Sequence, residues 1–182
     1  LMKTNSLLFS VFLFTVSSSC FGQGLAGKKI ISGSMSASFI GTSDLNILSF
    51  GGSFLYGKVK ESSVYWAFGG SAGVVLNSQE GQNIYSFGPA IERGKFVQLV
   101  DKLYLSPHVG GSVQAMVGDV RGVSVGMYAS PLRLMYQVSD TFLLSATFGS
   151  ANVQLRQMGN ATIFTFNGSL ANGSGIGAFY TF

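Results

Sequence analysis

The 182-residue chain is 47% hydrophobic and only 10% charged, with 25 glycines and 16 phenylalanines, against about a quarter charged residues in an ordinary soluble domain. So few charges suit a surface that mostly faces something other than water. The formal net charge of +4 comes from basic residues scattered along the sequence, which excludes the clustered basic face that nucleic-acid binding requires.

The chain begins with a positive start around Met2 and Lys3, continues with an apolar run over residues 7–16 and leaves through small residues to Gly22. These are the three parts of a secretory signal peptide. The run is about half the roughly 20 residues that a membrane-crossing helix needs. Cleavage after Gly22 is expected, with Gln23 first in the mature chain. The alternative is lipid attachment at Cys20, although Ser17 stands where such signals carry Leu. Losing residues 1–22 removes the only cysteine, so residues 23–182 form one exported domain with no disulfide.

Beyond the signal no window has helical apolar spacing, whereas period-two alternation recurs in stretches of 10 to 15 residues, the mark of strands. Eight strands are predicted. The first, residues 30–40, sets Ile31, Met35, Ala37 and Phe39 against Ser32, Ser34, Ser36 and Ser38. A turn at Thr42-Ser43-Asp44 leads to the second, 47–58, with Leu48, Phe50, Phe54 and Tyr56 on its apolar face. The third, 64–76, presents Trp66, Phe68, Ala72 and Val74. After a loop at 77–82, the fourth, 84–96, directs Tyr85, Phe87, Pro89 and Ile91 outward and Glu92 inward, with a bulge or a weak pair expected at Pro89 because proline has no amide to donate.

The fifth strand, 103–117, turns Val109, Val113 and Val117 one way and Tyr104, His108 and Gln114 the other. In the sixth, 123–136, the apolar parity slips after Pro131 from odd to even positions, which predicts a bulge there. The seventh, 142–155, slips similarly past Gly149. The eighth runs from about residue 163 to Phe182, and the polar stretch at Ala171-Asn172-Gly173-Ser174-Gly175 is read as a kink in one long strand.

That last strand places Ile176, Ala178, Tyr180 and Phe182 on one face, with Phe179 as the bulky exception on the other. An apolar terminal strand must be covered, either by a second sheet or by lipid. Its Gly177, Tyr180 and Phe182 resemble the terminal signal that the outer-membrane assembly machinery reads in bacterial β-barrels. Over residues 23–182 the pattern resembles the small OmpA-like and OmpX-like outer-membrane barrels, and Phe87-Gly88-Pro89 with Asp101-Lys102-Leu103-Tyr104-Leu105 is similar to the porin-like barrel domain of Bacteroidetes. The resemblance implies an all-β fold, an eight-stranded antiparallel up-and-down transmembrane β-barrel, in the outer membrane of a Gram-negative cell. Both termini are then periplasmic, and the partners are outer-membrane lipid, lipopolysaccharide and the assembly machinery.

The residues themselves favour lipid over a second sheet. The polar faces are rich in Ser and Gly rather than Lys and Glu, as a narrow interior requires, and aromatics gather near strand ends at Tyr56, Tyr65, Trp66, Phe96, Tyr136, Phe142, Tyr180 and Phe182, as interfacial girdles do.

Glu92, His108 and Arg133 form the one inward constellation with chemical potential, Glu92 being expected opposite His108. With Tyr104 and Arg156 they are read as a polar network filling a narrow lumen, because ions taken out of water must pair. A hydrolase or acyltransferase built on His108 would need Ser106 or Ser130 as nucleophile, and no stretch matches the barrel enzymes that act on lipid A. A narrow pore and a soluble exported barrel binding an apolar ligand are the alternative readings. One histidine and no mature cysteine leave no zinc ligand set, and no cofactor is implied. The Asn160-Ala161-Thr162, Asn167-Gly168-Ser169 and Asn172-Gly173-Ser174 triplets are chance products of a Ser- and Asn-rich chain.

Overall fold

The structure of the protein is a computed structural model describing residues 23–41, 46–77, 83–169 and 175–182. The predicted signal peptide at 1–22, the turn at 42–44, most of the loop at 77–82 and the predicted kink at 171–174 lie outside these residues. Among the described residues there is one short 3-10 turn, Gln23–Leu25, and no α-helix. The period-two pattern is realised as strands throughout.

The first three predicted strands are unbroken: β1 (Lys29–Gly41), β2 (Asn46–Val59) and β3 (Val64–Asn77). The remaining five are each divided. The fourth contains β4 (Asn83–Lys95) and runs past its predicted end as β5 (Val97–Val100), and the fifth contains β6 (Leu103–Leu105) and β7 (His108–Gly118). The sixth contains β8 (Gly122–Ser130) and β9 (Leu132–Gln137), and the seventh β10 (Phe142–Phe148) and β11 (Ser150–Met158). The eighth contains β12 (Ala161–Ser169) and β13 (Gly175–Thr181).

All thirteen segments belong to one antiparallel sheet curled into a half-barrel, in the order β12-β11-β8-β7-β4-β3-β2-β1-β13-β10-β9-β6-β5. β1 is paired on both sides: Ile30 lies opposite Gly57 of β2 and opposite Thr181 of β13. At the same end the Lys29 amide donates to the Phe182 carbonyl at 2.8 Å, and the Phe182 amide donates back to Lys29. The start of β1 and the end of β13 are thereby tied together in the ladder.

The alternation decides what each face meets. Phe50, Phe54, Val109 and Phe148 point outward and are 47%, 60%, 52% and 46% exposed. They do not meet in a dry centre. The inner face carries the expected Ser, Gly and a few bulky polar residues, and it is not uniformly polar. Towards the chain termini it holds an apolar cluster that includes Leu25, Ile30, Leu55, Phe96, Met135 and Leu143. Leu25 joins it from the 3-10 turn, which is held against β2 by the Gly27 amide donating to the Val59 carbonyl at 3.1 Å. Tyr65 and Phe96, placed in a surface girdle by their position near strand ends, are wholly buried there, with ring centroids 4.9 Å apart. Both have inward parity, and parity outweighs distance from the strand end.

At Pro131 the predicted bulge is present relative to the neighbouring strand. Between the pairs His108↔Ser130 and Leu105↔Leu134, the three residues Pro131, Leu132 and Arg133 stand against the two residues Ser106 and Pro107. The extra residue reverses the parity, so that Ser130, Arg133 and Met135 are all buried while Leu132 and Leu134 are exposed. Next to it Gly149 has a positive φ of 74°, a conformation that glycine adopts without penalty. The Ser130 hydroxyl donates to the Gly149 carbonyl at 2.7 Å and ties the two irregularities together. Pro89, in contrast, forms no bulge. Its register with β3 continues through Gly70↔Pro89, and the β7 register is the same on either side, with only Gly88 and Pro89 unpaired. The missing amide costs a pair, not a shift.

Deleting Pro131 alone is expected to leave Arg133 inward and Leu132 and Leu134 outward, because the remaining residues then alternate from Ser130, whereas deleting Pro131 and Leu132 together should turn Arg133 outward and Leu134 inward. Stranding the buried charge that Arg133 serves would cost about 3–5 kcal/mol, read as a fall in the urea midpoint from the fluorescence of Trp66, the sole tryptophan. An unchanged midpoint in the double deletion would show that the residue count after Ser130 does not set the parity.

Candidate functional site

Six segments converge on one carboxylate. Glu92 projects inward from β4 and is 4% exposed, so its charge must be met by protein groups. Arg133, brought inward by the bulge before β9, meets it with two bonds: Nη1 donates to Oε1 at 2.7 Å and Nη2 to Oε2 at 3.0 Å. This is the bidentate fork in which arginine pairs best with a carboxylate. Nη1 also donates to Tyr65 Oη at 3.0 Å, and Nη2 to His108 Nε2 at 2.7 Å. The ring of Phe179 from β13 lies 5.3 Å from the guanidinium carbon, a cation–π contact in a desolvated setting.

The carboxylate has two further donors. Tyr65 Oη donates to Oε1 at 2.6 Å and Tyr128 Oη to Oε2 at 3.0 Å. Each phenol reaches its acceptor because its ring lies over a glycine on the neighbouring strand. Tyr65 is opposite Gly94 and Tyr128 opposite Gly110. A Cβ on Gly94 would stand 2.5 Å from the Tyr65 hydroxyl, and one on Gly110 would overlap the Tyr128 ring. Only glycine leaves room for these rings.

His108 takes its role from the same network. An N–H donated to Nε2 makes that nitrogen the acceptor, so the ring proton belongs on Nδ1, which faces the Ser106 carbonyl at 3.3 Å. Both nitrogens are engaged. The 3.9 Å approach of Nε2 to Glu92 Oε2 is then a contact between a neutral ring and an anion. Ser130, the other candidate nucleophile, spends its proton on Gly149. The arrangement compensates charge, and the hydroxyl of neither Ser106 nor Ser130 is hydrogen-bonded to a His108 nitrogen.

Glu92, His108 and Arg133 therefore sit together, though not in the expected register. Glu92 is opposite Gly110, and His108 is opposite Gly94, two residues nearer the turn; the long side chain of Arg133 closes the offset. Tyr104 is buried elsewhere and donates to Gln137 Oε1 at 3.1 Å. Arg156 lies on β11, away from the cluster, and its buried Nε has no protein partner. Further along the inner face Gln114 bonds Ser71 and Gln154 bonds Ser124, at 2.8 and 2.7 Å. The sequence reading missed Tyr65 and Tyr128 as carboxylate donors. An inward Tyr facing a Gly across a ladder is the signal for both, and it needs the register to be seen.

Beside the cluster a cavity of about 40 Å³ opens between Ser32, Ser53, Ser145, Thr147 and Gly177. That is room for a few waters, each needing about 10–15 Å³ of such space. In the terminal motif, Gly177 faces inward against Ser145, while Tyr180 and Phe182 are exposed on the outer face with centroids 5.9 Å apart. Among the described residues no group of His, Cys, Asp or Glu could hold a metal ion. Comparison of the sequence with protein-family models and with curated proteins gives no match.

Replacing Arg133 alone by Met is expected to destabilise the protein by about 3–5 kcal/mol, because Glu92 remains buried without its counter-ion. The double variant E92L/R133M should recover most of that loss. Urea midpoints of both, followed by Trp66 fluorescence, check this; equal losses would mean that the pair is not coupled.

Proposed function

We propose that the protein is an integral outer-membrane β-barrel of eight strands with a structural or interaction role and a lumen closed by its own side chains. One observation carries the reading: the outer face of the sheet is apolar although the inner face already holds an apolar cluster of its own. A soluble barrel hides its apolar residues inside and shows charge to water. Here the inner face already has an apolar cluster and a satisfied ion pair, and the outer face still presents Phe50, Phe54, Phe68, Phe87, Phe164 and Phe166 as exposed side chains. Exposed apolar area on that scale calls for a lipid partner.

The pairing pattern supports closure. Each predicted strand pairs with the next, the divided ones through both of their segments, and β13 of the last pairs with β1 of the first. If β12 and β13 belong to one strand, the ladder returns to its start, as lipid requires of a sheet. β1, β2 and β3 have 13, 14 and 14 residues, enough for the roughly 9–11 of a tilted crossing strand. The turns at 60–63, between β2 and β3, and at 138–141, between β9 and β10, lie beside Lys28 and Thr181, at the end of the sheet that the reading assigns to the periplasm.

A plug is favoured over a pore because the Arg133 network reaches from β9 to β3, β4, β7 and β8, across segments that are not neighbours in the sheet. The apolar cluster and Leu25 occupy the interior towards the termini. Catalysis is disfavoured by the occupied nitrogens of His108.

In cell fractionation the protein is expected in the outer membrane, and in detergent it should migrate faster on a gel before boiling than after. Recovery in the soluble periplasm with unchanged mobility would overturn the reading. Phe54→Arg separates lipid from water at the outer face: near mid-membrane it should cost about 2–4 kcal/mol, whereas on a wet surface it should leave the unfolding midpoint unchanged.

A further inference from the structure

The basic residues that are scattered along the sequence gather on the sheet. Lys29 of β1 is directly opposite Lys58 of β2, Lys58 is opposite Trp66 of β3, and Trp66 is opposite Arg93 of β4. All four side chains are exposed on the outer face, in one row across four neighbouring strands. Like charges directly across an antiparallel pair repel and weaken it. Among the described residues no carboxylate lies within ion-pair distance of Lys29, Lys58 or Arg93. The Arg93 guanidinium instead rests over the Trp66 ring, 5.3 Å from its centroid, and Lys29 Nζ lies 5.9 Å from that of Phe182. Among the described residues the row has cations and no anion to pair with them.

An apolar groove of about 570 Å³ begins at this row, with Arg93 and Trp66 at its mouth. Its next level is Phe68, Ile91, Gly111 and Met127, consecutive across β3, β4, β7 and β8. The large side chains of Phe68 and Met127 stand up as walls and Gly111 leaves the gap between them. The two levels are two residues apart along the strands, roughly 6.6–6.8 Å. Cations therefore lie at one end of an apolar slot, at the depth where an aromatic side chain marks the boundary between headgroups and chains.

We propose that this groove holds one anionic phospholipid of the leaflet nearest the chain termini, with an acyl chain between Phe68 and Met127 and the phosphate between Lys58 and Arg93. The inference rests on the envelope reading, since a lipid reaches the groove from the bilayer. Charge decides the occupant. A zwitterionic headgroup would bring its own cation to a row already carrying three, whereas a net-negative phosphodiester neutralises the row and relieves the Lys29–Lys58 repulsion.

Trp66 at the groove's mouth makes the test direct, because bromine on a nearby acyl chain quenches tryptophan fluorescence and the chain has one tryptophan. The protein is folded into phosphatidylcholine vesicles containing a minor fraction of chain-brominated phosphatidylglycerol or, in parallel, chain-brominated phosphatidylethanolamine. Gel mobility before and after boiling reports insertion separately. The expected result is stronger quenching by the phosphatidylglycerol, unrelieved by excess glycerol phosphate. Its preference should fall about fivefold for K58Q or R93Q and about twenty-five-fold for K58Q/R93Q, with the gel shift retained. G111L, which fills the slot and leaves the cations in place, should reduce quenching by either lipid.

Equal quenching by the two lipids in an inserted protein would overturn the seat and leave the envelope reading standing. Relief by glycerol phosphate would overturn it too, since the site would then recognise phosphate without a chain. A protein with no gel shift in any vesicle would overturn both.

Discussion

A carboxylate removed from water inside a protein must be compensated, and the inner half of this sheet is arranged around that need at Glu92. Leaving such a charge unpaired costs several kcal/mol, which is a large part of the stability of any small domain. Compensation here takes a bidentate arginine, two phenols and an imidazole held as a neutral acceptor. Each partner depends on a separate backbone device. The bulge at Pro131 turns Arg133 inward, and Gly94 and Gly110 let the two tyrosine rings lie flat enough for their hydroxyls to reach. The irregular positions of the sheet are thus the ones that assemble its polar centre.

The same cluster limits what the interior can do. A guanidinium fixed by a carboxylate, a histidine and a phenylalanine face is neither a free gate nor a substrate clamp. At the end of the sheet where Lys29 meets Phe182, the inner face is occupied by the apolar cluster. The outer face carries the exposed aromatics and the row of cations. An apolar stripe bounded at one end by Lys29, Lys58, Trp66 and Arg93 has the polarity profile of half a bilayer, running from hydrocarbon to headgroup within a few residues of strand.

Several features were legible in the chain before any fold was known. Strict alternation in residues 30–40 and 47–58 places the strands and their apolar faces, because neighbouring side chains of a strand point to opposite sides. The parity slip after Pro131 reveals a bulge for the same reason. The inward parity of Glu92, His108 and Arg133 could be read from their apolar neighbours. Tyr65 and Phe96 show where such reading stops. Proximity to a strand end suggested a girdle, yet their parity was inward and they are buried together.

What the sequence by itself determined is the side of the sheet on which each residue lies, since that depends only on counting in twos from its neighbours. Tertiary structure decided which residues meet across the ladder: Gly110 rather than His108 opposite Glu92, glycines beneath Tyr65 and Tyr128, and three separated cations in one row with Trp66. Those meetings follow from strand register. Register is fixed by turns, bulges and the packing of side chains distant in sequence, and a local pattern carries none of that information.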